Sequence, residues 1–406
     1  MSYESLTAKV DWERMRKERL SKLQREIKKD GLDGLMLFDV TNVRYATNTK
    51  GIIMHLAWLG IFTRYALVPP DGNPVIFALP GHDRANDEKL VPRIASSVRP
   101  TISWLASPNR SQDLRRWVEE IKAAKKDLGI TGNKLGVDIA LTEEVARAFM
   151  GAGFDPAEGL STVRRAKIIK TPDELELIRA AATMTDAGYG AVQETIRPGV
   201  REFDLVGAAY HAMYSMGMEA PFSVISAGER TSPWIRQDPS DYTLKEGDVI
   251  DVDQGGAGPG GYFCDTSRTF LCGDNANEEQ KSAYNECWEV HREMLNAIKS
   301  GATTADVASK IPDHLVADDL KHQSHGFYCQ GHGSGLHLFE GVLISKVYSL
   351  EHPERLEKNM QLHVECQVTK GKTGVRLEHT VIVTDTGYET VDKYPGAYPH
   401  YDEKFR

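Results

Sequence analysis

Cysteine is scarce in this sequence, and none is arranged in a CxxC pair. Only five cysteines stand among 406 residues, and all of them follow residue 260. An odd number without paired spacing argues against a disulfide framework and against a thiolate zinc site. The pattern favours a reducing compartment, in which the cysteines are small buried side chains.

Long apolar runs and a secretion signal are also missing. The most apolar stretch, residues 51–70, contains His55, Thr63 and Arg64 and is therefore too polar for a membrane span. The first twenty residues are charged throughout and lack the apolar core of a signal peptide. We therefore expect a cytoplasmic protein without a membrane partner.

There is no excess of positive charge. The net charge is −9 and the isoelectric point is near 5.8, which argues against nucleic acid as a partner. Hydrophobic residues make up 41% of the chain, as in ordinary globular proteins, and the length suggests two domains. A small-molecule substrate is the expected partner.

The first part of the chain alternates between helix and strand signals. A charged amphipathic run over residues 12–29 predicts a helix, and apolar runs at 34–38, 65–68 and 74–78 predict strands. This alternation indicates an α/β domain. Thr171, Pro172 and Glu174 then form a helix-start signal after a basic stretch, so we place the two domains at residues 1–165 and 166–406.

The second domain contains an internal repeat. The string IRPGV (196–200) followed by Asp204 recurs as IKSGA (298–302) followed by Asp306. The string LKEGDVIDVD (244–253) aligns without gaps on LEKNMQLHVE (356–365), which places Asp253 opposite Glu365. Two matches in the same order favour a duplication over chance similarity.

Each copy ends in a strand hairpin that carries acids. Strand alternation puts Asp251 and Asp253 on one face, and the return strand after the glycine-rich turn carries Asp265. The second copy repeats the arrangement with Glu365 and Glu378. The glycine-rich turn of the first copy, residues 255–261, joins two strands and does not begin a helix. The sequence therefore does not favour a dinucleotide-binding loop.

Convergence of these acids favours a metal site. Like charges a few ångströms apart cannot all stay ionised unless cations neutralise them. Two divalent ions, of Mn, Fe, Co or Zn, suit four carboxylates and one imidazole, which we assign to His332 between glycines. The competing interpretation is that these acids are ordinary solvated strand residues without a metal. That interpretation could explain a single acid, but it does not explain why both hairpins carry them.

Taken together, these motifs resemble the pita-bread superfamily of creatinase, prolidase and aminopeptidase P. The family pattern places metal ligands at Asp253, Asp265, His332, Glu365 and Glu378. The resemblance implies a creatinase-like α/β N-terminal domain, followed by an α+β pita-bread catalytic domain with an internal pseudo-twofold duplication. It also implies a homodimer.

Two departures concern the reaction. Peptidases of this type carry helper histidines where this sequence has Trp234 and Phe339. Their loss argues against ordinary Xaa-Pro peptidase action, because those histidines contact the substrate amide and the tetrahedral intermediate.

Within the superfamily the chain resembles the DddP-type dimethylsulfoniopropionate lyases. The resemblance rests on the segment 37–47, on the segment around Trp234 and on the C-terminal segment 386–395. Two acids of that family are replaced, by Gly255 and by Leu338. The resemblance implies β-elimination that releases dimethyl sulfide and acrylate from a small zwitterionic carboxylate.

Several roles stay open at this point. His337, Glu340 and Asp251 are candidate bases for a lyase, whereas Glu365 would move the proton in a hydrolase of a C–N bond, such as a dipeptidase, creatinase or ectoine hydrolase. A third, less favoured possibility is a non-catalytic binding protein on the same fold. Four aromatic residues are candidates for contact with a cationic group of the substrate, namely Trp234, Trp58, Phe327 and Tyr328.

Overall fold

The computed structural model divides the chain into two compact units. One unit comprises Asp11–Lys167, and the other comprises Met1–Val10 with Ile168–Arg406. The first helix, α1 (Tyr3–Thr7), was assigned by sequence to the first domain, but it contacts the long helix that follows residue 171. The structure describes residues 2–49, 64–78, 93–96, 108–232, 238–315, 329–397 and 400–406.

The Asp11–Lys167 unit is an α/β domain, as predicted. Its strands form one mixed sheet in the order β4-β3-β2-β1-β5-β6, in which β1 runs antiparallel to β2 and parallel to β5. One face of the sheet packs an aromatic core that includes Tyr65, Phe77, Trp117 and Phe149. The elements are α2 (Trp12–Lys29), β1 (Gly34–Leu37), α3 (Val40–Thr47), β2 (Arg64–Val68), β3 (Val75–Ala78), β4 (Arg93–Ser96), α4 (Arg110–Asp127), β5 (Lys134–Val137), α5 (Glu143–Gly151), β6 (Asp155–Glu158) and α6 (Leu160–Lys167).

The larger unit combines helices with two antiparallel sheets. A three-stranded sheet has the order β7-β8-β9, and a five-stranded sheet has the order β11-β10-β12-β13-β14. The elements are α7 (Pro172–Thr195), α8 (Glu202–Ser215), β7 (Ala220–Ala227), β8 (Val249–Ala257), β9 (Phe263–Leu271), α9 (Glu278–Asn296), α10 (Thr304–Ala308), β10 (Gly331–Gly333), β11 (Leu343–Ile344), β12 (Gln361–Lys370), β13 (Thr373–Val383) and β14 (Tyr388–Thr390).

Helix α7 begins where the sequence predicted. The Thr171 hydroxyl accepts a hydrogen bond from the Glu174 backbone N–H, and the Glu174 carboxylate accepts one from the Thr171 N–H, while Pro172 occupies the first turn. This reciprocal cap satisfies two otherwise orphaned donors at the helix start. No helix within the described ranges is long and apolar enough to cross a membrane.

The internal repeat is visible in the backbone. Gly199 donates to the Leu244 carbonyl, and Gly301 donates to the Leu356 carbonyl in the same way. Both glycines have a positive φ, 91° and 93°, and both sit in the turn between two successive helices. The predicted duplication is therefore confirmed: each half consists of two helices followed by a strand hairpin.

The two hairpins meet through side-chain hydrogen bonds between β9 and β13. The Thr380 hydroxyl donates to the Asp265 carbonyl at 2.8 Å, and the Ser267 hydroxyl donates to the Glu378 carboxylate at 3.0 Å. Ser267 and Thr380 each stand two residues after a predicted metal ligand. Each half therefore positions a ligand residue of the other half.

Candidate metal centre

The acid-bearing faces of both hairpins border a single cavity of about 480 Å³. This volume lies within the range of roughly 300–1,000 Å³ that is usual for small-molecule sites. All five predicted metal ligands line it. The described lining consists of Phe222, Val224, Asp253, Asp265, Cys329, Gln330, His332, Leu338, Phe339, Glu365, Gln367, Arg376 and Glu378.

In the first hairpin the two aspartates are offset along the strands. Asp253 on β8 is paired with Ser267 on β9, whereas Asp265 is paired with Gly255. Residues two apart on a strand share a face, so Asp253 and Asp265 are diagonal neighbours. A Cβ atom at Gly255 would lie 1.9 Å from the Cys264 carbonyl oxygen, so this approach of the strands requires glycine.

In the second hairpin the two glutamates are directly opposed. Glu365 on β12 is paired with Glu378 on β13, and the neighbouring strand β10 places His332 opposite His363. The His363 ring bonds through Nδ1 to the Asp265 carbonyl at 3.0 Å. The sheet therefore presents the imidazole of His332 beside both glutamates.

The carboxyl groups strongly disfavour one another's ionisation. Burial, together with the charges of neighbouring carboxylates, raises the pKa of Asp265 and of Glu378 well above their ordinary values. Burial also raises the pKa of Glu365 to about 7, with Arg376 opposing this shift and Asp253 adding to it. Cations in the cavity would relieve this repulsion.

The donor set fits a divalent metal. Ligand atoms of Asp265, His332 and Glu378 lie within 4.8 Å of one another. Burial lowers the pKa of His332 to about 4, so its Nε2, 3.8 Å from an Asp265 oxygen, belongs to a neutral ring and not to an ion pair. Among the described residues, Oδ1 of Asp253 and Oδ1 of Asp265 are buried without hydrogen-bond partners. Neutral imidazole and unpaired carboxylate oxygens are the ligands that divalent transition metals accept.

Comparison with protein families accounts for both parts of the chain. Residues 176–385, more than half of the chain, match the model of metallopeptidase family M24. The chain belongs to this family. Residues 19–166 match the creatinase/prolidase N-terminal domain. The predicted superfamily, fold class and enzymatic nature are confirmed by these matches.

Relatives of this M24 chain include both lyases and peptidases. It is 25% identical over 399 residues to a dimethylsulfoniopropionate lyase DddP from Roseovarius nubinhibens, covering 95% of this chain and 87% of the relative. It is 29% identical over 236 residues to an Xaa-Pro dipeptidase from Pyrococcus furiosus, covering 57% and 65% respectively. The solved structure of an Xaa-Pro dipeptidase from Bacillus anthracis shares its fold, with a TM-score of 0.73, 24% identity and coverage of 94% of this chain and 98% of that one.

Three of the four candidate catalytic residues lie outside the cavity lining. Asp251 is fully buried and bonds to Arg376 at 2.7 Å, and the Glu340 carboxylate, whose side chain is 6% exposed, bonds to Lys170 at 3.1 Å. These ion pairs occupy the carboxylates that the sequence suggested as bases. His337 donates its backbone N–H to Glu340 and does not line the cavity. Only Glu365 both lines the cavity and was predicted to move a proton.

The aromatic predictions have a different outcome. Trp58, Trp234, Phe327 and Tyr328 lie outside the described residues. Phe339 stacks on the His332 ring with 4.0 Å between centroids. Its side chain is half exposed and borders the cavity. An apolar ring therefore stands beside a predicted metal ligand.

Sequence reasoning missed Arg376. Its guanidinium bonds to Asp253 at 2.9 Å and to Asp251 at 2.7 Å, so it links a predicted ligand to a buried acid. Strand alternation could have found it, because Arg376 stands two residues before Glu378 and therefore on the ligand face of β13. A charged residue in phase with Glu378, between the apolar Val375 and Leu377, was the signal available in the sequence.

Proposed function

We propose that this M24 enzyme is a metal-dependent lyase that acts on a small zwitterionic carboxylate, as the dimethylsulfoniopropionate lyases do. In this reaction a base removes a proton from the carbon next to the carboxylate. The electron pair of that C–H bond becomes the C=C bond of acrylate. The β carbon–sulfur bond breaks, and its electrons leave with dimethyl sulfide.

The observation that carries the proposal is Phe339 in the cavity. Its half-exposed ring lies against the predicted ligand His332. By the family resemblance, it stands where a peptidase would have a helper histidine. Aromatic faces attract cations such as a sulfonium group, with free energies of about 0.5–2 kcal/mol. Similarity to the DddP enzyme along nearly the whole chain supports the same assignment.

Asp253, Asp265, His332, Glu365 and Glu378 would hold the metal, as two ions of Mn, Fe, Co or Zn. The metal would supply electrophilic stabilisation of the negative charge that develops on the substrate carboxylate. Glu365 would accept the proton on a carboxylate oxygen, because it alone among the predicted catalytic residues borders the cavity. Leu338 and Phe222, which are apolar residues of the lining, would limit the access of water to the cavity.

Hydrolysis of a C–N bond is the second candidate. The family is one of metallopeptidases, and an Xaa-Pro dipeptidase is among the relatives. Glu365 would then transfer a proton to the leaving nitrogen. Hydrolysis would lack the helper histidine, because Phe339 stands at that position. We therefore place hydrolysis second.

An assay with both substrate classes separates the candidates. Purified protein is loaded with Mn, Fe, Co or Zn and supplied with dimethylsulfoniopropionate or with Xaa-Pro dipeptides, and the release of dimethyl sulfide or of free proline is measured. We expect dimethyl sulfide, and a weaker reaction in Phe339→Ala. Dipeptide turnover at enzyme-like rates without dimethyl sulfide would refute the lyase proposal.

Two further expectations rest on resemblance alone. A homodimer is implied by the N-terminal domain, and light scattering of the purified protein tests it. Residence in the cytoplasm is tested by fractionation of the producing cell.

A further inference from the structure

Gln330 is a buried glutamine on the wall of the cavity. It stands two residues before His332, and both residues line the cavity. Only 3% of Gln330 is exposed, and it belongs to the cavity lining. Its backbone is fixed on both sides, since its N–H donates to the Ile344 carbonyl and its carbonyl accepts from the Glu365 N–H.

The orientation of the Gln330 amide is determined by a backbone donor. The Lys346 N–H donates to the side-chain oxygen of Gln330 at 2.8 Å. Because an N–H group requires an acceptor, the oxygen must occupy that position and the NH₂ group the other. The Nε2 atom is buried and has no hydrogen-bond partner among the described residues.

An unpaired buried donor normally costs folding free energy, and native proteins contain few of them. A donor on the wall of a ligand cavity avoids that cost when the ligand brings an acceptor. Two other donors of the lining are already engaged: Arg376 binds Asp251 and Asp253, and the Cys329 thiol donates to the Gly331 carbonyl.

We propose that the Gln330 side-chain NH₂ donates a hydrogen bond to a carboxylate oxygen of the substrate and thereby determines specificity for carboxylates. The inference rests on the proposed function in one respect only, that the cavity binds the substrate. It applies to a lyase and to a dipeptidase alike, because both substrates carry a carboxylate.

Two substitutions separate this donor role from packing. Gln330→Met keeps the length of the side chain and removes the donor, whereas Gln330→Glu keeps the acceptor for Lys346 and adds a negative charge. Gln361→Met is the matched control, because Gln361 is also buried and hydrogen-bonded but does not line the cavity. Each protein is loaded with metal, and its metal content is measured.

Binding is measured by calorimetry with dimethylsulfoniopropionate, with glycyl-proline and with trimethylsulfonium, which has no carboxylate. We expect Gln330→Met to weaken binding of the carboxylates by about tenfold or more, as for loss of a hydrogen bond to a charged group. Gln330→Glu should weaken it further by repulsion. The affinity of both Gln330 variants for trimethylsulfonium should change by less than about threefold. The affinity of Gln361→Met for each of the three compounds should also change by less than about threefold.

Equal weakening for trimethylsulfonium, or unchanged carboxylate binding in both Gln330 variants, would overturn the inference. A wild-type protein that binds neither carboxylate would overturn it as well. Turnover by the wild-type protein decides the reaction class separately: a dipeptidase would refute the lyase proposal, yet a selective loss of glycyl-proline binding in Gln330→Met would still support the donor role.

Discussion

The two acid-bearing hairpins, β8–β9 and β12–β13, share one sequence pattern but differ in the way their acids are arranged. Asp253 and Glu365 occupy equivalent positions, yet Asp265 is offset diagonally from Asp253, whereas Glu378 directly faces Glu365. Gly255, which faces Asp265, is replaced in the second copy by Gln367. The strands of the first hairpin approach too closely at Gly255 to admit a side chain, whereas the second hairpin presents the side chain of Gln367 to the cavity.

Each hairpin also contributes one buried arginine to the other half. Arg376 of β13 bonds to Asp251 and Asp253 of β8, and Arg268 of β9 donates to the Glu378 carbonyl at 2.6 Å and to Asp392 at 2.7 Å. Each of these two arginines therefore bonds to residues of both halves or of the opposite half. The duplication is retained in the fold, and the predicted metal ligands that line the cavity come from both copies.

The largest expected effect is the loss of a ligand from either hairpin. Asp265→Ala and Glu378→Ala should each lower the activity on the proposed substrate by about three orders of magnitude, because electrophilic stabilisation is worth several kcal/mol. Metal content by mass spectrometry should fall in both. Asp274→Ala, which changes an exposed acid, is the control. An Asp265→Ala protein with full metal content and activity would refute the site.

Removal of the arginine that crosses between the hairpins comes next. Arg376→Met leaves Asp251 buried without its partner, so the free energy of unfolding of metal-free protein should fall by about 3–5 kcal/mol. The double variant Arg376→Met with Asp251→Asn should recover much of this loss. Urea denaturation measures both. A double variant as unstable as the single one would show that the pair is not coupled.

The glycine that distinguishes the hairpins gives a smaller effect. Gly255→Ala should lower the free energy of unfolding by about 1–3 kcal/mol, because the new Cβ meets the Cys264 carbonyl. Gln367→Ala, at the equivalent position, should change it by less than about 1 kcal/mol. Gly207→Ala, on the open face of α8, is the control and should be neutral or slightly stabilising. Equal effects at Gly255 and Gln367 would contradict the asymmetry.

The smallest effect concerns the repeated turn. Gly199→Ala and Gly301→Ala both force a β-carbon into a positive φ, so each should cost about 1–2 kcal/mol. Thermal or urea unfolding should give equal losses for the two variants. A markedly larger loss at one position would mean that the two turns no longer play the same role.

Much of the fold was readable from local signals. The helix Trp12–Lys29, the cap at Thr171 and the two acid-bearing hairpins follow from periodicity, capping chemistry and turn composition, which act over a few residues. The five predicted ligands share one cavity because strand alternation determines the face on which each side chain lies.

The catalytic predictions depended on contacts that sequence spacing does not report. Asp251 and Glu340 had the chemistry of a base, but ion pairs with Arg376 and Lys170 occupy them. Those partners stand 125 and 170 positions away in the chain. Gln330 carried no sequence signal beyond its distance from His332, because only the bond from Lys346 orients its amide.

The sequence by itself determined the family, the duplicated hairpins and the set of residues able to hold a metal, since these follow from residue type and short-range periodicity. Only the tertiary structure decided which of the polar side chains face the cavity and which neutralise one another behind it. The physical reason is that a buried charge needs a partner, and the partner is supplied by whichever distant strand the fold brings alongside.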